Sequence, residues 1–146
     1  MRAREIEILL VEDNLNDVKL TKKALQKQDL NAKVAHVENG QEAIDYIFCR
    51  NKFSDRKKSS FPNLILLDLK LPKMDGLEVL KILKKDERTK SIPIVVLTSS
   101  DQDSDIEKSY DLGANSYIVK PVDFDQFMKS VTELGLYWFL LNEYTS

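Results

Sequence analysis

The stretch Asn63–Gly76 reads NLILLDLKLPKMDG and shows the architecture of the chain most clearly. Leu64–Leu67 are continuously apolar, which is typical of a central parallel strand that helices cover on both faces. Asp68 follows this run directly, and apolar residues at helical spacing begin after Gly76. The stretch therefore predicts a buried strand, a loop that starts with a carboxylate, and a helix.

Similar units recur on both sides of this stretch. Further short apolar runs predict strands at Ile6–Val11, Val34–Val37, Ile92–Leu97 and Tyr117–Val119. Helical spacing predicts a helix after every strand, and the weakest of these patterns is the one around Ile106 and Tyr110. Such βα units with right-handed connections favour an α/β fold of the flavodoxin-like type, a doubly wound five-stranded parallel sheet in a three-layer α/β/α sandwich. A barrel would need about eight units and a longer chain.

The composition predicts one soluble domain over residues 1–146. The chain has 22 Lys and Arg against 24 Asp and Glu, and this net charge of -2 argues against direct nucleic-acid binding, although a local basic patch stays open. The run Ile6–Val11 is too short for a signal-peptide core or a membrane span, so no membrane insertion is expected. Cys49 has no second cysteine for a disulfide or a zinc cluster, which indicates a cytoplasmic protein.

Charged and hydroxyl side chains follow the predicted strands, at the edge where open parallel sheets bind ligands. They are Glu12, Asp13, Asp68, Thr98 and Lys120. Each one alone has an ordinary explanation, such as a helix cap for Asp13, a turn for Asp68 or a surface charge for Lys120. Clustered carboxylates, however, raise one another's pKa unless a cation neutralises them. Oxygen ligands without His or Cys suit Mg²⁺.

These residue types together fit phosphoryl transfer. A metal held by Glu12 and Asp13 would lie beside a free oxygen of Asp68, and a carboxylate can accept a phosphoryl group as an acyl phosphate. Mg²⁺ and Lys120 would neutralise the transferred charge. Thr98 would donate a hydrogen bond to a phosphoryl oxygen.

Four motifs follow one another along the chain: LLVEDN, NLILLDLKLPKMDG, VVLTSS and SYIVKPV. In this order they resemble the receiver domain of two-component response regulators, over roughly Glu5 to Ser130. The resemblance implies a phosphorylation-activated switch that accepts a phosphoryl group on Asp68, with Mg²⁺, from a sensor histidine kinase or a histidine phosphotransfer protein. It implies no enzyme activity beyond self-phosphorylation and slow self-dephosphorylation.

The resemblance also implies roles for single residues. The metal ligands would be Glu12, Asp13, Asp68 and the main-chain carbonyl of Lys70. Lys120, followed by a cis bond to Pro121, would contact the phosphoryl group. Thr98 and Tyr117 would form a switch pair in which the hydroxyl moves toward the acyl phosphate and the ring follows inward. This movement would repack the face formed by the fourth helix, the fifth strand and the fifth helix.

Other positions of the family pattern concern the loops. Lys70 and Ser100 match positions that tune the hydrolysis of the acyl phosphate. Gly76 is expected to turn the chain into the third helix, and Gly113 to end the fourth helix in a left-handed cap. His36 is expected to be a packed or half-exposed strand residue without kinase motifs, so the phosphoryl donor would be another molecule.

Two segments lie outside the pattern. The polar connection Arg50–Ser60 is interpreted as a solvated surface loop, with a basic docking element for an acidic partner as the alternative. The last helix, predicted over about 123–142, is apolar around its whole circumference at residues 136–141. That end would either fold back over the core or form an interface, as a homodimer or with a partner groove.

The long loop and the aromatic end together resemble the small receivers that are partnered with cyanobacterial phytochromes, which dimerise through their C-terminal face. No room for an output domain follows the last helix before Ser146, so the sequence predicts a stand-alone receiver that signals through its surface.

Three other hypotheses remain for the same fold. A flavin- or nucleotide-binding module would need a Gly-, Ser- or Thr-rich phosphate loop, whereas the first strand here is followed by Glu12-Asp13-Asn14. An aspartyl-phosphate phosphatase would need a second acid two residues after Asp68, where the chain has Lys70. A pseudo-receiver that binds without phosphorylation is weakened because no acid, hydroxyl or lysine of the set is missing.

Overall fold

Parallel strands in the order β2-β1-β3-β4-β5 form the central sheet. The structure is a computed structural model that describes residues 6–25, 32–57 and 61–134. The strands in these ranges are β1 (Ile6–Val11), β2 (Ala32–Val37), β3 (Leu64–Leu67), β4 (Ile94–Thr98) and β5 (Ser116–Val119). The order and the parallel pairing confirm the flavodoxin-like prediction.

Helices connect the strands and complete the βα units. They are α1 (Leu15–Leu25), α2 (Gly40–Ile47), α3 (Gly76–Lys85), α4 (Asp103–Asp111) and α5 (Phe124–Glu133). Short polar side chains cap the starts of α2 and α3, because the first main-chain N–H groups of a helix have no partner inside it. Asn39 accepts from Glu42 N, and Asp75 accepts from Glu78 N.

The core consists of two apolar clusters, one on each face of the sheet. Alternate residues of β1, β3 and β4 point to opposite faces, so Leu9 and Ile65 belong to one cluster and Ile8 and Leu64 to the other. Helices α2 and α3 cover the first cluster, and α1 and α5 cover the second. Such two-sided burial explains why these strands are apolar without alternation.

The strand boundaries differ slightly from the prediction. β4 begins at Ile94 instead of Ile92, because Pro93 has no N–H for the ladder, although its carbonyl accepts from Ile65 N at 3.0 Å. β4 also includes Thr98. The predicted extension of α5 to about residue 142 lies outside the described residues, as does the apolar segment 136–141.

The two glycines behave differently from each other. Gly113 has a φ of 106°, and its N–H donates to Tyr110 O at 3.0 Å, so the predicted left-handed cap of α4 is confirmed. Gly76 begins α3, but the structure gives it a steric cause: a Cβ there would lie 2.1 Å from Asp68 O. Its role is a close backbone approach between α3 and the end of β3.

The connection after α2 is only in part the loose surface loop that its composition suggests. Asn51–Phe53 form a short 3-10 helix, and the Arg56 guanidinium lies 3.7 Å from the centroid of the Tyr46 ring. The Tyr46 hydroxyl in turn donates to Glu7 Oε1 at 2.5 Å. These contacts anchor the otherwise exposed segment 50–57 near the start of β1, at the amino edge of the sheet. Within the described ranges, no helix has the length and apolar character to cross a membrane.

Candidate functional site

Three carboxylates converge at the carboxyl edge of the sheet. Glu12 and Asp13 follow β1, Asp68 follows β3, and one oxygen from each lies within 4.8 Å of the others. The strand register explains this: Val11 pairs with Leu67, so the next residues of both strands are neighbours. The Asp68 N–H also donates to Val11 O at 3.1 Å. This is the point where the strand order reverses, where open α/β sheets bind ligands.

Burial distinguishes the members of this cluster. Glu12 and Asp68 are buried, whereas Asp13 is exposed toward the cleft. The main chain of Glu12 is held on β2, because its N–H donates to Val37 O at 3.0 Å and its carbonyl accepts from His36 Nε2 at 2.7 Å. His36 is thus a half-buried strand residue, as expected, and it fixes the end of β1.

Lys120 provides the positive charge at the site. Its Nζ contacts Glu12 Oε1 and lies 2.8 Å from Asp68 Oδ2. The residue follows β5, and its main-chain N–H donates to Thr98 O at 2.8 Å. The predicted cis bond between Lys120 and Pro121 is confirmed.

Burial and charge shift the pKa values of these groups. Burial raises the pKa of Glu12 to about 7, and the Asp68 charge acts in the same direction while the hydrogen bond from Lys120 opposes it. Burial by itself would lower the pKa of Lys120, but its hydrogen bonds to carboxylates outweigh burial and raise that pKa. The ammonium therefore stays charged, and the surplus of negative charge favours a further cation.

Sequence analysis missed a fourth carboxylate. Asp17 Oδ2 lies 2.8 Å from Lys120 Nζ. Asp17 belongs to the first turn of α1, where its N–H donates to Asn14 Oδ1 at 3.0 Å. Its position in the first turn of the helix that follows the Glu12-Asp13 pair is the signal that could have identified it, because that helix begins at the edge of the sheet where the ligand site is expected.

The predicted switch residues occupy different environments. Thr98 ends β4 with its side chain buried, and among the described residues its Oγ1 has no hydrogen-bond partner. Tyr117 is half-buried, and its hydroxyl donates to Ser100 O at 2.8 Å. Ser100 Oγ donates to Asp105 Oδ2 at 2.5 Å, which links this loop to α4.

Lys70 lies at the rim of the site. Its side chain is exposed, and its main-chain N–H donates to Asp68 Oδ1 at 3.3 Å. An open cleft of about 460 Å³ is lined by Asp13, Lys70 and Asp105, among others. Because Asp13 lines it, the cleft leaves room for a small charged group beside the carboxylates.

Comparisons with known proteins agree with this arrangement. A family model described as the response regulator receiver domain matches residues 8–132. The response regulator Rcp1 of Synechocystis sp. (strain ATCC 27184 / PCC 6803 / Kazusa) is 35% identical over 131 residues, which cover 90% of this chain and 87% of Rcp1. A solved structure of Rcp1 in its Mn²⁺-bound form has a TM-score of 0.75 at 33% identity and covers 97% of both chains.

Two further solved structures are similar. The bacteriophytochrome response regulator RtBRR has a TM-score of 0.85 at 46% identity, over 96% of this chain and 84% of its own. The phosphorylated cyanobacterial phytochrome response regulator RcpA has a TM-score of 0.77 at 40% identity, over 92% of this chain and 94% of its own. The expected likeness to phytochrome response regulators is confirmed.

Proposed function

The chain belongs to the response regulator receiver family of two-component signalling, and we propose that it is switched by phosphorylation of Asp68. The observation that supports this proposal is the cluster of Glu12, Asp13 and Asp68 with Lys120 at the carboxyl edge of the sheet. Asp68 lies beside both acids, and its Oδ2 is 2.8 Å from the Lys120 Nζ. A phosphoryl group on its carboxylate would therefore lie next to the positive charge of Lys120.

The transfer itself follows from the carboxylate. One oxygen of Asp68 attacks the phosphorus of a phosphohistidine, the O–P bond forms as the N–P bond breaks, and the donor imidazole keeps the electron pair of the broken bond. The single histidine of this chain, His36, is bound to the Glu12 carbonyl. The donor is accordingly a partner, a sensor histidine kinase or a histidine phosphotransfer protein.

The carboxylates fit a hard divalent cation. Their ligand atoms are all oxygen, they lie close together, and Lys120 neutralises only part of their charge. We assign Mg²⁺ to Glu12, Asp13, Asp68 and the main-chain carbonyl of Lys70. When bound, Mg²⁺ neutralises charge on the phosphoryl oxygens. Mn²⁺ in the relative Rcp1 is a cation of similar ligand preference.

Two side chains would form hydrogen bonds with the new phosphoryl group. Lys120 donates to one phosphoryl oxygen, and the Thr98 hydroxyl gains the partner that it lacks among the described residues. The movement of Thr98 opens space toward which the Tyr117 ring can turn, at the cost of its hydrogen bond to Ser100 O. The signal would then leave through the surface of α4, β5 and α5, where Tyr110 and Val119 are exposed.

Hydrolysis would return the switch to its resting state. Water attacks the acyl phosphate slowly, and Lys70 and Ser100 occupy the loops from which they can modulate water access. Turnover of foreign phosphate esters is not part of the proposal, because Lys70 stands where an aspartyl-phosphate phosphatase needs a second acid.

Location and assembly complete the proposal. We place the protein in the cytoplasm, where histidine kinases present their phosphoryl groups and where the buried free thiol of Cys49 stays reduced. We also propose a single receiver domain over residues 1–146 that forms a homodimer through a last helix reaching about residue 142, because residues 136–141 are apolar on every side. Sedimentation equilibrium with and without acetyl phosphate tests this assembly.

The central experiment is phosphorylation in vitro. Incubation with acetyl phosphate and Mg²⁺ is expected to add the mass of one phosphoryl group to the intact protein, and EDTA should prevent this. Asp68→Asn should remain unmodified, whereas Asp111→Asn, which alters an exposed acid at the end of α4, should react like the wild type. An adduct on Asp68→Asn at the wild-type rate would contradict Asp68 as the acceptor.

A further inference from the structure

Asp17 has no role among the metal ligands and phosphoryl contacts assigned above, yet it binds Lys120. We propose, on the basis of the proposed function, that Asp17 is a positioning residue: it holds the Lys120 ammonium in the unphosphorylated state, and the phosphoryl group displaces it. The ion pair joins α1 to the end of β5 at 2.8 Å and spans 103 residues of sequence. It is therefore a contact that the fold creates.

The N–H donors of Lys120 are all in use in this structure. An ammonium group has three N–H donors. In the described part of the chain its carboxylate partners are Glu12, Asp17 and Asp68, so each donor already has an acceptor. The oxygens of a phosphoryl group on Asp68 therefore compete with these carboxylates for the Lys120 donors.

The exposure of the three partners indicates which contact is released. The side chains of Glu12 and Asp68 are 1% and 8% exposed, whereas that of Asp17 is 32% exposed. Without Lys120 the buried carboxylate of Glu12 would remain as an uncompensated charge, which is costly, and Asp68 carries the phosphoryl group that Lys120 contacts. A carboxylate near water is hydrated again when its ion pair opens, and such pairs contribute little to stability. Asp17 is thus the partner that Lys120 gives up at the lowest cost.

The start of α1 stabilises Asp17 after its release. The residue lies in the first turn of this helix, where the positive end of the helix dipole favours a negative side chain. Asn14 also satisfies the Asp17 N–H, so the backbone there does not depend on the ion pair. The exchange can consequently proceed without unwinding of α1.

An acid in the first turn of a helix also has a purely structural explanation, and α3 offers the matched control. Glu78 lies at the equivalent position of α3, with its N–H bound to Asp75 Oδ1 at 3.0 Å as the Asp17 N–H is bound to Asn14. Glu78 is exposed. Asp17→Asn and Glu78→Gln therefore remove the same interaction with a helix end, but only the first removes a partner of Lys120.

The test measures binding of beryllofluoride, a phosphoryl mimic, in the presence of Mg²⁺ by ¹⁹F NMR. Because Asp17 competes for Lys120 only in the free state, Asp17→Asn should bind beryllofluoride about three- to fivefold more tightly than the wild type. Glu78→Gln should bind like the wild type. Equal affinity of Asp17→Asn and Glu78→Gln, or weaker binding by Asp17→Asn, would overturn the proposal.

A crystal structure of the wild-type complex with beryllofluoride gives a second readout. We expect Lys120 Nζ to contact a fluorine and to lie beyond ion-pair distance from Asp17, and a retained Lys120–Asp17 pair would refute the exchange. Failure of the proposed function would give a different result, because the wild type itself would then bind no beryllofluoride. Asp68→Asn should bind none in either case. Without binding by the wild type, the proposed role of Asp17 would also be wrong.

Discussion

Two buried threonines differ in a single hydrogen bond. Thr98 and Thr89 both have fully buried side chains, but the Thr89 hydroxyl donates to Leu83 O at 2.6 Å, whereas Thr98 Oγ1 has no partner among the described residues. A buried hydroxyl without a partner loses its hydration and gains nothing in return. A new hydrogen-bond acceptor near the Thr98 hydroxyl would therefore stabilise the resting protein.

Thr98→Val should therefore stabilise the metal-free protein by about 1 kcal/mol, because it removes the unpaired hydroxyl. Thr89→Val should destabilise it by about 1 kcal/mol, because it removes a satisfied bond. Urea denaturation of both variants measures these changes. Destabilisation of equal size in the two variants would mean that the Thr98 hydroxyl already has a partner in solution.

Glu12 makes the stability of the metal-free protein depend on pH. The unfolded chain releases the Glu12 proton near the ordinary pKa of 4.5, and the folded protein releases it near a pKa of about 7. Between these values the folded state binds more protons, so the contribution of Glu12 to stability falls as pH rises. The free energy of unfolding of Glu12→Gln, relative to that of the wild type, should therefore rise between pH 4.5 and about 7. Above pH 7 the difference should stay constant.

Urea denaturation in EDTA at several pH values measures this difference. Glu42→Gln is the control, because a hydrogen bond from Lys52 lowers the pKa of Glu42, and its contribution changes only at pH values below 4.5. Parallel pH profiles for wild type and Glu12→Gln would show that Glu12 is charged throughout this range.

Residue roles were predictable from the sequence where they depend on strand ends. Glu12 and Asp68 follow continuous apolar runs, so their place at one edge of the sheet could be predicted from the chain itself. Asp17 could not be predicted in this way, because its role depends on Lys120, 103 residues away. The unpaired hydroxyl of Thr98 was equally hidden, since it is a property of the packed core.

At the scale of elements, the junction between β3 and α3 determines the geometry around the acceptor. The Gly76 N–H donates to Leu69 O at 2.8 Å, and the Cα of Gly76 lies against the Asp68 carbonyl. The helix can begin this close to the strand end only because the residue has no Cβ. Helix α3 and the acceptor loop are therefore in direct backbone contact.

Gly76→Ala should consequently destabilise the protein by about 2 kcal/mol and slow its phosphorylation by acetyl phosphate, because the new methyl group displaces the Asp68 backbone. Gly113→Ala is the matched control: its positive φ costs about 1 kcal/mol, but it lies at the cap of α4. Thermal unfolding and intact mass against time measure both effects. A normal phosphorylation rate for Gly76→Ala would show that the acceptor loop adapts.

The positions of the elements were largely predictable, because continuous apolar strands and capped helices are local signals. β4 begins at Ile94, two residues after the predicted start at Ile92. Pro93 has no N–H group to donate a hydrogen bond to the neighbouring strand. The steric need for Gly76 was not predictable, because the sequence does not reveal how closely two elements approach each other.

At the scale of the whole molecule, burial is uneven among the helices. Helix α3 buries Val79, Leu80 and Leu83, whereas Ser109 is the buried residue of α4. Few buried apolar contacts are typical of elements that open locally at low free energy. We therefore expect α4, which carries the exposed Tyr110 and is linked through Ser100 to Tyr117, to rearrange most easily.

Hydrogen exchange followed by mass spectrometry should show this difference. Amides of α4 should exchange about tenfold faster than those of α3, or more, in the unphosphorylated protein. The inner strands β1, β3 and β4 should exchange slowest, since they are covered on both faces. Equal protection of α3 and α4 would argue that α4 is held as firmly as the core.

The anchored segment 50–57 has a practical consequence for labelling. It lies at the amino edge of the sheet, and the site lies at the carboxyl edge, about 20 Å away along a six-residue strand. Asp55 is exposed there, and the one native thiol, Cys49, is buried. Asp55→Cys therefore offers a single reactive attachment point for a fluorophore or a sensor surface, so that signalling can be followed without touching the chemistry.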